Sequence, residues 1–289
     1  MAKTPSGLLS GKVALVTGAG RGQGRAHAVT LARNGADVIV VDAPEHIDTV
    51  AYPLSSPEDL AQTVKEIEEL DRRVIGMQAD VRSQEQLDAA VGRGLAEFGQ
   101  IDILIANAGI LSLKPFWELS EAEWGDTINT NLSGIWRSAK AVAPHMIERQ
   151  TGAIVMISSV NGLEPGTNFA HYVTAKHGVI GLMRNVALEL APHGVRCNVI
   201  CPGAVDTEIL NWQGVYDMFA GHPGGTREDL LAAGKVYHAL KGFSVLNPQV
   251  IADAALWLVS DGAAAVTGVV LPIDAGHRML PPMNPAALG

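Results

Sequence analysis

Tyr172 and Lys176 stand four residues apart in the helical pattern after Phe169, so their side chains share one helix face. A free phenol titrates near 10 and is a poor base at neutral pH. Moving it to about 7 takes roughly 4 kcal/mol of differential stabilisation. One ammonium about 4–5 Å away, at an effective dielectric of 20, supplies on the order of 3–4 kcal/mol. The pair could therefore serve as a general acid–base. Ser159 precedes Tyr172 and closes an apolar run of strand length. Its hydroxyl could hold a substrate oxygen while the phenol exchanges a proton. Ser158 should point to the opposite face of that strand and is the second choice. In isolation Tyr172 reads as a half-buried core tyrosine and Lys176 as a solvated helix residue, so their companions decide the matter.

The first companion is a glycine turn, Thr17-Gly18-Ala19-Gly20-Arg21-Gly22-Gln23-Gly24, which follows the run Val13–Thr17 and opens a helix. Gln23 stands where the general Gly-x-Gly-x-x-Gly fingerprint has its third glycine, and the spacing fits Thr-Gly-x-x-x-Gly-x-Gly instead. Such a turn lets the backbone approach a pyrophosphate at a helix N-terminus. The next run, Asp37–Asp42, ends in a carboxylate placed to accept hydrogen bonds from an adenosine ribose. Against a 2′-phosphate, like charges about 4 Å apart at a dielectric of 20 cost roughly 4 kcal/mol, about a thousandfold in affinity. Arg21 could pair with such a phosphate and pulls the other way. Asp42 is fixed at a strand end and Arg21 is flexible, so NAD is favoured over NADP.

These groups need a scaffold. Apolar runs at Val13–Thr17, Asp37–Asp42, 74–81, 103–107, 153–158, 195–200 and 268–273 alternate with helical patterns. Near-continuous Val, Ile and Leu mark strands buried on both faces. The expected fold class is α/β: a single doubly wound Rossmann domain with a seven-stranded, mainly parallel sheet and helices on both faces. Ser56 with Pro57 and Asp59, Ser83 with Gln86, and Ser120 with Glu123 read as helix starts, and Asn247-Pro248 opens a helix to about Ser260. Residues 1–10 are expected to be a flexible N-terminus, 11–280 the catalytic domain, and 281–289 a tail. Two segments break the rhythm, 43–56 and 204–247, and both are expected to be long loops.

Further along come Asn107-Ala108-Gly109 at a strand end and Asn131 in a helix. With the glycine turn, Ser159 and Tyr172-Val173-Thr174-Ala175-Lys176, they match in order the pattern of the short-chain dehydrogenase/reductase superfamily. The resemblance runs from Gly11 to about Gly276 and implies hydride transfer between a nicotinamide and an alcohol/ketone pair. It makes Asn131, Ser159, Tyr172 and Lys176 the catalytic set, with Asn131 anchoring a water that joins Lys176 to solvent. It gives cofactor contacts to Gly18, Arg21, Gly22, Gln23, Gly24 and Asp42, and to Asp80 and Val81 around the adenine. Asn107, Ala108 and Gly109 would pack under the cofactor; Pro202, Gly203, Val205 and Thr207 would surround the nicotinamide carboxamide. Asp206 and Glu208 read as exposed loop charges. The stretch Gly22-Gln23-Gly24-Arg25-Ala26-His27-Ala28, with the added segment into Tyr52-Pro53-Leu54, resembles the carveol dehydrogenase-like branch associated with mycofactocin. That likeness implies tightly held NAD whose electrons leave through a separate carrier. The superfamily also implies homotetramers, formed through helices around 127–149 and 170–190.

The segment 208–243 contributes Trp212, Tyr216, Met218, Phe219, Tyr237 and Phe243 with few cations, which favours an apolar alcohol, cyclic or terpenoid, over an acidic one. A net charge of −9 argues against nucleic-acid or anionic-membrane partners. No apolar run nears the roughly 20 residues of a membrane span, and no secretory signal is evident, so the cytoplasm is expected. Cys197 and Cys201 sit four apart in a strand, roughly 13 Å, which is too far for a disulfide. No histidine has the spacing of a metal pair, and no metal is expected. Two other functions stay open: an NADPH-dependent ketone reductase, and a dinucleotide sensor without catalysis.

Overall fold

The computed structural model describes residues 7–43 and 45–280. The 281–289 tail, residues 1–6 and Pro44 lie outside them. Seven strands form one sheet: β1 Val13–Thr17, β2 Asp37–Asp42, β3 Val74–Gln78, β4 Ile103–Ala106, β5 Gly152–Ile157, β6 Val195–Pro202 and β7 Val270–Ile273. Their order is β3-β2-β1-β4-β5-β6-β7, and every neighbouring pair is parallel. The helices are α1 Gly22–Arg33, α2 Pro57–Glu68, α3 Gln84–Phe98, α4 Glu121–Ile128, α5 Gly134–Arg149, α6 Ala170–Leu190, α7 Gln213–Ala220, α8 Arg227–Tyr237 and α9 Pro248–Val259.

Period-two alternation sorts the strand residues into two cores. Val13, Leu15, Ile39 and Leu104 face Val91, Ile135 and Val179, so α3, α5 and α6 cover one side. Ala14, Val16, Val38 and Ile105 face Leu31, Ile67 and Ile251, so α1, α2 and α9 cover the other. The chain reverses its winding between β1 and β4, which opens a crevice at their C-terminal ends.

Local signals hold with some corrections. Ser56 and Ser120 form full capping boxes with Asp59 and Glu123. Ser83 accepts from the Gln86 amide, but the Gln86 carboxamide oxygen accepts from the Asp80 amide instead of closing a box. Strand β3 ends at Gln78, not 81, because Asp80 starts a turn whose carbonyl accepts from Ser83. Residues 7–10, expected in the flexible N-terminus, form a turn in which Leu9 is buried and its amide donates to the Asn34 carbonyl, 2.8 Å.

The larger correction is the segment 204–247, expected as a loop, which holds α7 and α8. Thr226 and Asp229 make a reciprocal capping box at the start of α8, and the same spacing is present in the sequence. Surrounding Gly, Pro and His residues mask it. Replacing Thr226 with Ala removes that box at a cost of about 1 kcal/mol. Hydrogen exchange of amides in α8 should then speed up roughly fivefold, while those of the central strands stay unchanged. Unaltered exchange in α8 would show that the cap does not hold the helix.

Candidate active site

Turn geometry follows from glycines that no other residue could replace. Gly18 has φ +65°, and a Cβ there would meet the Ala108 backbone at 2.8 Å. A Cβ on Gly24 would lie 1.8 Å from the Gly18 carbonyl, so α1 packs directly on the turn. The first amides of α1 consequently face the crevice with no side-chain cap from Arg21. Thr17 and Asn107 latch the far side: the Thr17 hydroxyl accepts from the Asn107 and Ala108 amides, 3.0 and 3.2 Å, and the Asn107 side chain donates to the Thr17 carbonyl, 3.0 Å. Asn107 thus has a structural task as well as lining the crevice.

Two adjoining cavities occupy the C-terminal edge of the sheet. Gly18, Arg21, Gly22, Gln23, Gly24, Asp42, Asp80, Val81, Asn107, Ala108, Gly109, Tyr172, Lys176 and Thr207 line the first, together with Ile47, Tyr52, Leu54 and Ser55 from the 43–56 segment. Ser159, Pro202, Gly203 and Val205 line the second with Leu111, Phe169, Met218 and Phe219. Gln23, Ser158, Tyr172, Thr207 and Ile209 belong to both, so Tyr172 stands where the cavities meet. Asn131 lines neither. It is wholly buried in a π-type turn, Asn129–Ser133, with its carboxamide committed to the Ile110 amide and carbonyl, each at 2.8 Å.

In the first cavity the Asp42 carboxylate accepts from the Gly20 amide at 2.7 Å and the Ala43 amide at 2.8 Å. Burial nevertheless raises its pKa, with those bonds and Arg21 opposing. The Arg21 guanidinium donates to the Pro53 carbonyl, which draws it towards the 43–56 segment. Asp80 is held by Arg82, which also pairs with Asp126. Arg82 escapes sequence reasoning because an arginine next to a strand end carries no distinguishing pattern.

Lys176 is buried, and its ammonium donates to the Ile157 carbonyl at 3.0 Å. It lies 5.5 Å from the centre of the Tyr172 ring. Burial brings the Lys176 pKa down to about 8. Tyr172 is half-buried as a residue, yet its hydroxyl is hemmed in closely enough that burial pushes the phenol up to about 12. Hydrogen bonding to Ser159 works against that rise. In the protein alone, then, burial outweighs the hydrogen bond from Ser159 at the phenol. Ser158 donates to the Lys176 carbonyl at 2.8 Å, which fixes α6 against β5 and leaves Ser159 as the serine at the phenol.

Among the described residues, no group of three or more His, Cys, Asp or Glu side chains could hold a metal, and no helix is long and apolar enough to cross a membrane. Cys197 and Cys201 are both free thiols. The model of the short chain dehydrogenase family matches residues 12–214. A (−)-trans-carveol dehydrogenase of Rhodococcus erythropolis is 43% identical over 275 residues, spanning 94% of this chain and 99% of that protein. The crystal structure of carveol dehydrogenase from Mycobacterium avium in complex with NAD superposes with a TM-score of 0.92 at 41% identity, covering 95% of this chain and 100% of that one. A short chain dehydrogenase from Mycobacterium paratuberculosis bound to NAD gives 0.86 at 36% identity, over 95% and 100%. The chain belongs to the short-chain dehydrogenase family.

In this short-chain dehydrogenase, α7 and α8 pack over the second cavity with an apolar cluster of their own. Val215 and Leu230 are buried against Leu111 and Phe169, with Trp212 and Tyr216 packed beside them. Of the aromatics expected to face substrate, only Phe219 and Tyr237 line the second cavity, joined by Met218; Phe243 packs into the α1-side core. Asp206, expected as a loose loop charge, pairs with Arg227 at 2.8 Å and ties α8 to the end of β6. Glu208 lines the first cavity.

The depressed Lys176 pKa makes a signed prediction. Between pH 8 and 10.5 the unfolded chain keeps a proton that folded Lys176 has released, so this residue makes stability rise with pH there. Stability of the native protein relative to Lys176→Met should increase from pH 7.5 to 9.5, as read from denaturant midpoints. A pH-independent difference would show that Lys176 titrates normally.

Proposed function

We propose that the protein is an NAD-dependent dehydrogenase that interconverts an apolar secondary alcohol and its ketone, with Tyr172 as the acid–base group. The observation that carries this reading is the position of Tyr172 at the junction of the two cavities, beside Ser159 and with Lys176 behind it. The first cavity fits a dinucleotide. Its glycine cradle admits no Cβ at Gly18 or Gly24, and two buried polar atoms on its wall, Gln23 Oε1 and Thr130 Oγ1, lack any protein partner. Bound NAD would supply the hydride acceptor and, when oxidised, a positive charge near the phenol.

The residues divide the work as follows. Asp42 receives the adenosine ribose and opposes a 2′-phosphate; the engagement of Arg21 with Pro53 removes the main argument for NADPH. Asp80 and Val81 flank the adenine. Gly18, Gly22, Gln23 and Gly24 hold the pyrophosphate over the N-terminus of α1, and Asn107, Ala108 and Gly109 support it from below. Pro202, Gly203, Val205 and Thr207 frame the nicotinamide. Ser159 orients the substrate oxygen, Tyr172 transfers the proton, and Lys176 favours the phenolate. Asn131 sets the Ile110 backbone beside Lys176: a Cβ on Gly109 would lie 3.5 Å from both Asn131 Oδ1 and Lys176 Nζ.

The 43–56 segment supports a further step, that NAD is retained and its electrons leave through a mycofactocin-type carrier. Tyr52 is buried; its hydroxyl accepts from the Leu111 amide at 3.1 Å and its ring centre lies 5.9 Å from that of Trp212. Thr49 donates to Asp126 at 2.8 Å. A nucleotide leaving the first cavity must disrupt these ties. Exposed Trp124 and Trp136, on α4 and α5, suit the expected homotetramer, and a cytoplasmic location agrees with the family chemistry.

Tyr172→Phe should lower oxidation of secondary alcohols at least a hundredfold while the protein still carries its nucleotide; undiminished turnover rules out the acid–base assignment. The nucleotide released by denaturing the purified protein should have the mass of NAD. Recovery of NADP instead would overturn the role given to Asp42.

A further inference from the structure

The second cavity carries a carboxylate, Glu164, on a wall that mixes apolar side chains with Ser159, Asn161, Tyr172 and Thr207. Glu164 follows the short turn after Ser159 and lines the cavity together with Tyr237. Its Oε1 lies 2.6 Å from His277 Nε2. The other nitrogen of that imidazole lies 2.9 Å from the Tyr237 carbonyl, and the ring stacks on Tyr237 with centres 3.7 Å apart. The ring thus bridges Glu164 and the Tyr237 backbone through its two nitrogens. Among the described residues, the charged partner near Glu164 Oε2 is Arg278, at 3.9 Å, beyond hydrogen-bond length. A carboxylate offers about four acceptor positions, so Glu164 keeps accepting capacity on a side chain that is 27% exposed. Burial and then the Glu164 charge raise the pKa of the Tyr237 phenol.

We infer that Glu164, held by His277, is a substrate-recognition subsite that accepts a hydrogen bond from a second hydroxyl, so that the preferred substrate is a small ring bearing two oxygens rather than a plain hydrocarbon alcohol. This rests on the dehydrogenase reading of the same cavity. Three features select a neutral hydroxyl. The free acceptor needs a donor. A substrate carboxylate would be repelled by the Glu164 charge. Nearby Arg278 weakens the pull on an ammonium. A cavity volume of about 270 Å³ suits a ring of modest size. The His277–Tyr237 contact also joins the 277–279 turn to the end of α8.

The test compares 4-methylcyclohexanol, cyclohexane-1,4-diol and 4-methoxycyclohexanol, each mixed with the purified protein carrying its nucleotide, by the rate at which the bound nicotinamide is reduced. Wild-type protein should favour the diol over the methyl compound by about tenfold or more, as expected for one bond to a charged acceptor. The methoxy compound, similar in size but without a donor, should gain nothing. Glu164→Leu should bring the diol-to-methyl ratio to about one or below, and Glu164→Gln should leave part of it. A methoxy compound used as well as the diol, or a ratio unchanged in Glu164→Leu, overturns the subsite. An equal loss on all three alcohols does so too, because it makes Glu164 merely structural. The wild-type methoxy comparison stands even where a variant fails to fold. Reduction by none of the three alcohols sinks the dehydrogenase reading instead, a different failure from normal oxidation without preference.

Discussion

Burying an ammonium and a phenol side by side without a carboxylate is the constraint around which the rest of the structure is arranged. Lys176 has the Ile157 carbonyl as its hydrogen-bond acceptor, and its pKa falls to about 8 because one neutral dipole does not replace bulk water. That carbonyl is available only because Ile157 ends β5, where the strand leaves the ladder at the crevice. Ser158 then pins the Lys176 backbone, and Gly162 is small enough to let α6 approach: a Cβ there would reach the Lys176 carbonyl at 2.8 Å. Strand end, serine and glycine together set where the ammonium can be.

The two cavities are covered by different means that meet in one place. The 43–56 segment covers the first cavity through Ile47, Tyr52 and Leu54, and α7 and α8 cover the second. Ile209 and Trp212 pack against both clusters. Movement of the lid is therefore felt at Tyr52, and through the Leu111 amide at the loop after β4 that bears Ile110 and its Asn131 clamp. Opening one cavity without loosening the other would require Ile209 and Trp212 to part from one of their partners. The two cavities are thus joined both by this packing and by the lining residues they share, Gln23, Ser158, Tyr172, Thr207 and Ile209.

Much of this was legible in the sequence because it rests on local chemistry. Runs of Val, Ile and Leu give the strands, Ser-x-x-Asp and Ser-x-x-Glu give α2 and α4, and the glycine turn and the Tyr172/Lys176 spacing place the two halves of the site. What escaped depends on distant partners. Ser158 and Ser159 differ only in the face they present, and the Lys176 carbonyl that occupies Ser158 lies 18 residues away. Asn131 looks like a polar helix residue until Ile110 is seen to take both ends of its carboxamide. Glu164 and His277 are separated by 113 positions, so no local pattern could pair them. The aromatics of 208–243 were misread for a related reason: a short helical pair must bury its own apolar face, and Trp212 and Tyr216 are spent on that.

The direction of the Tyr172 shift says how such a site avoids idle chemistry. With the phenol near 12 and the ammonium near 8, the pair by itself at neutral pH is a neutral acid beside a cation. It is a proton donor with no readiness to accept. A positive charge close to the hydroxyl would move the phenol towards ionisation. Proton acceptance is then conditional on what fills the neighbouring cavity. The same desolvation that makes Tyr172 a poor base in isolation strengthens every charge interaction made beside it, which is why the lysine, the serine and the closed covers must act together.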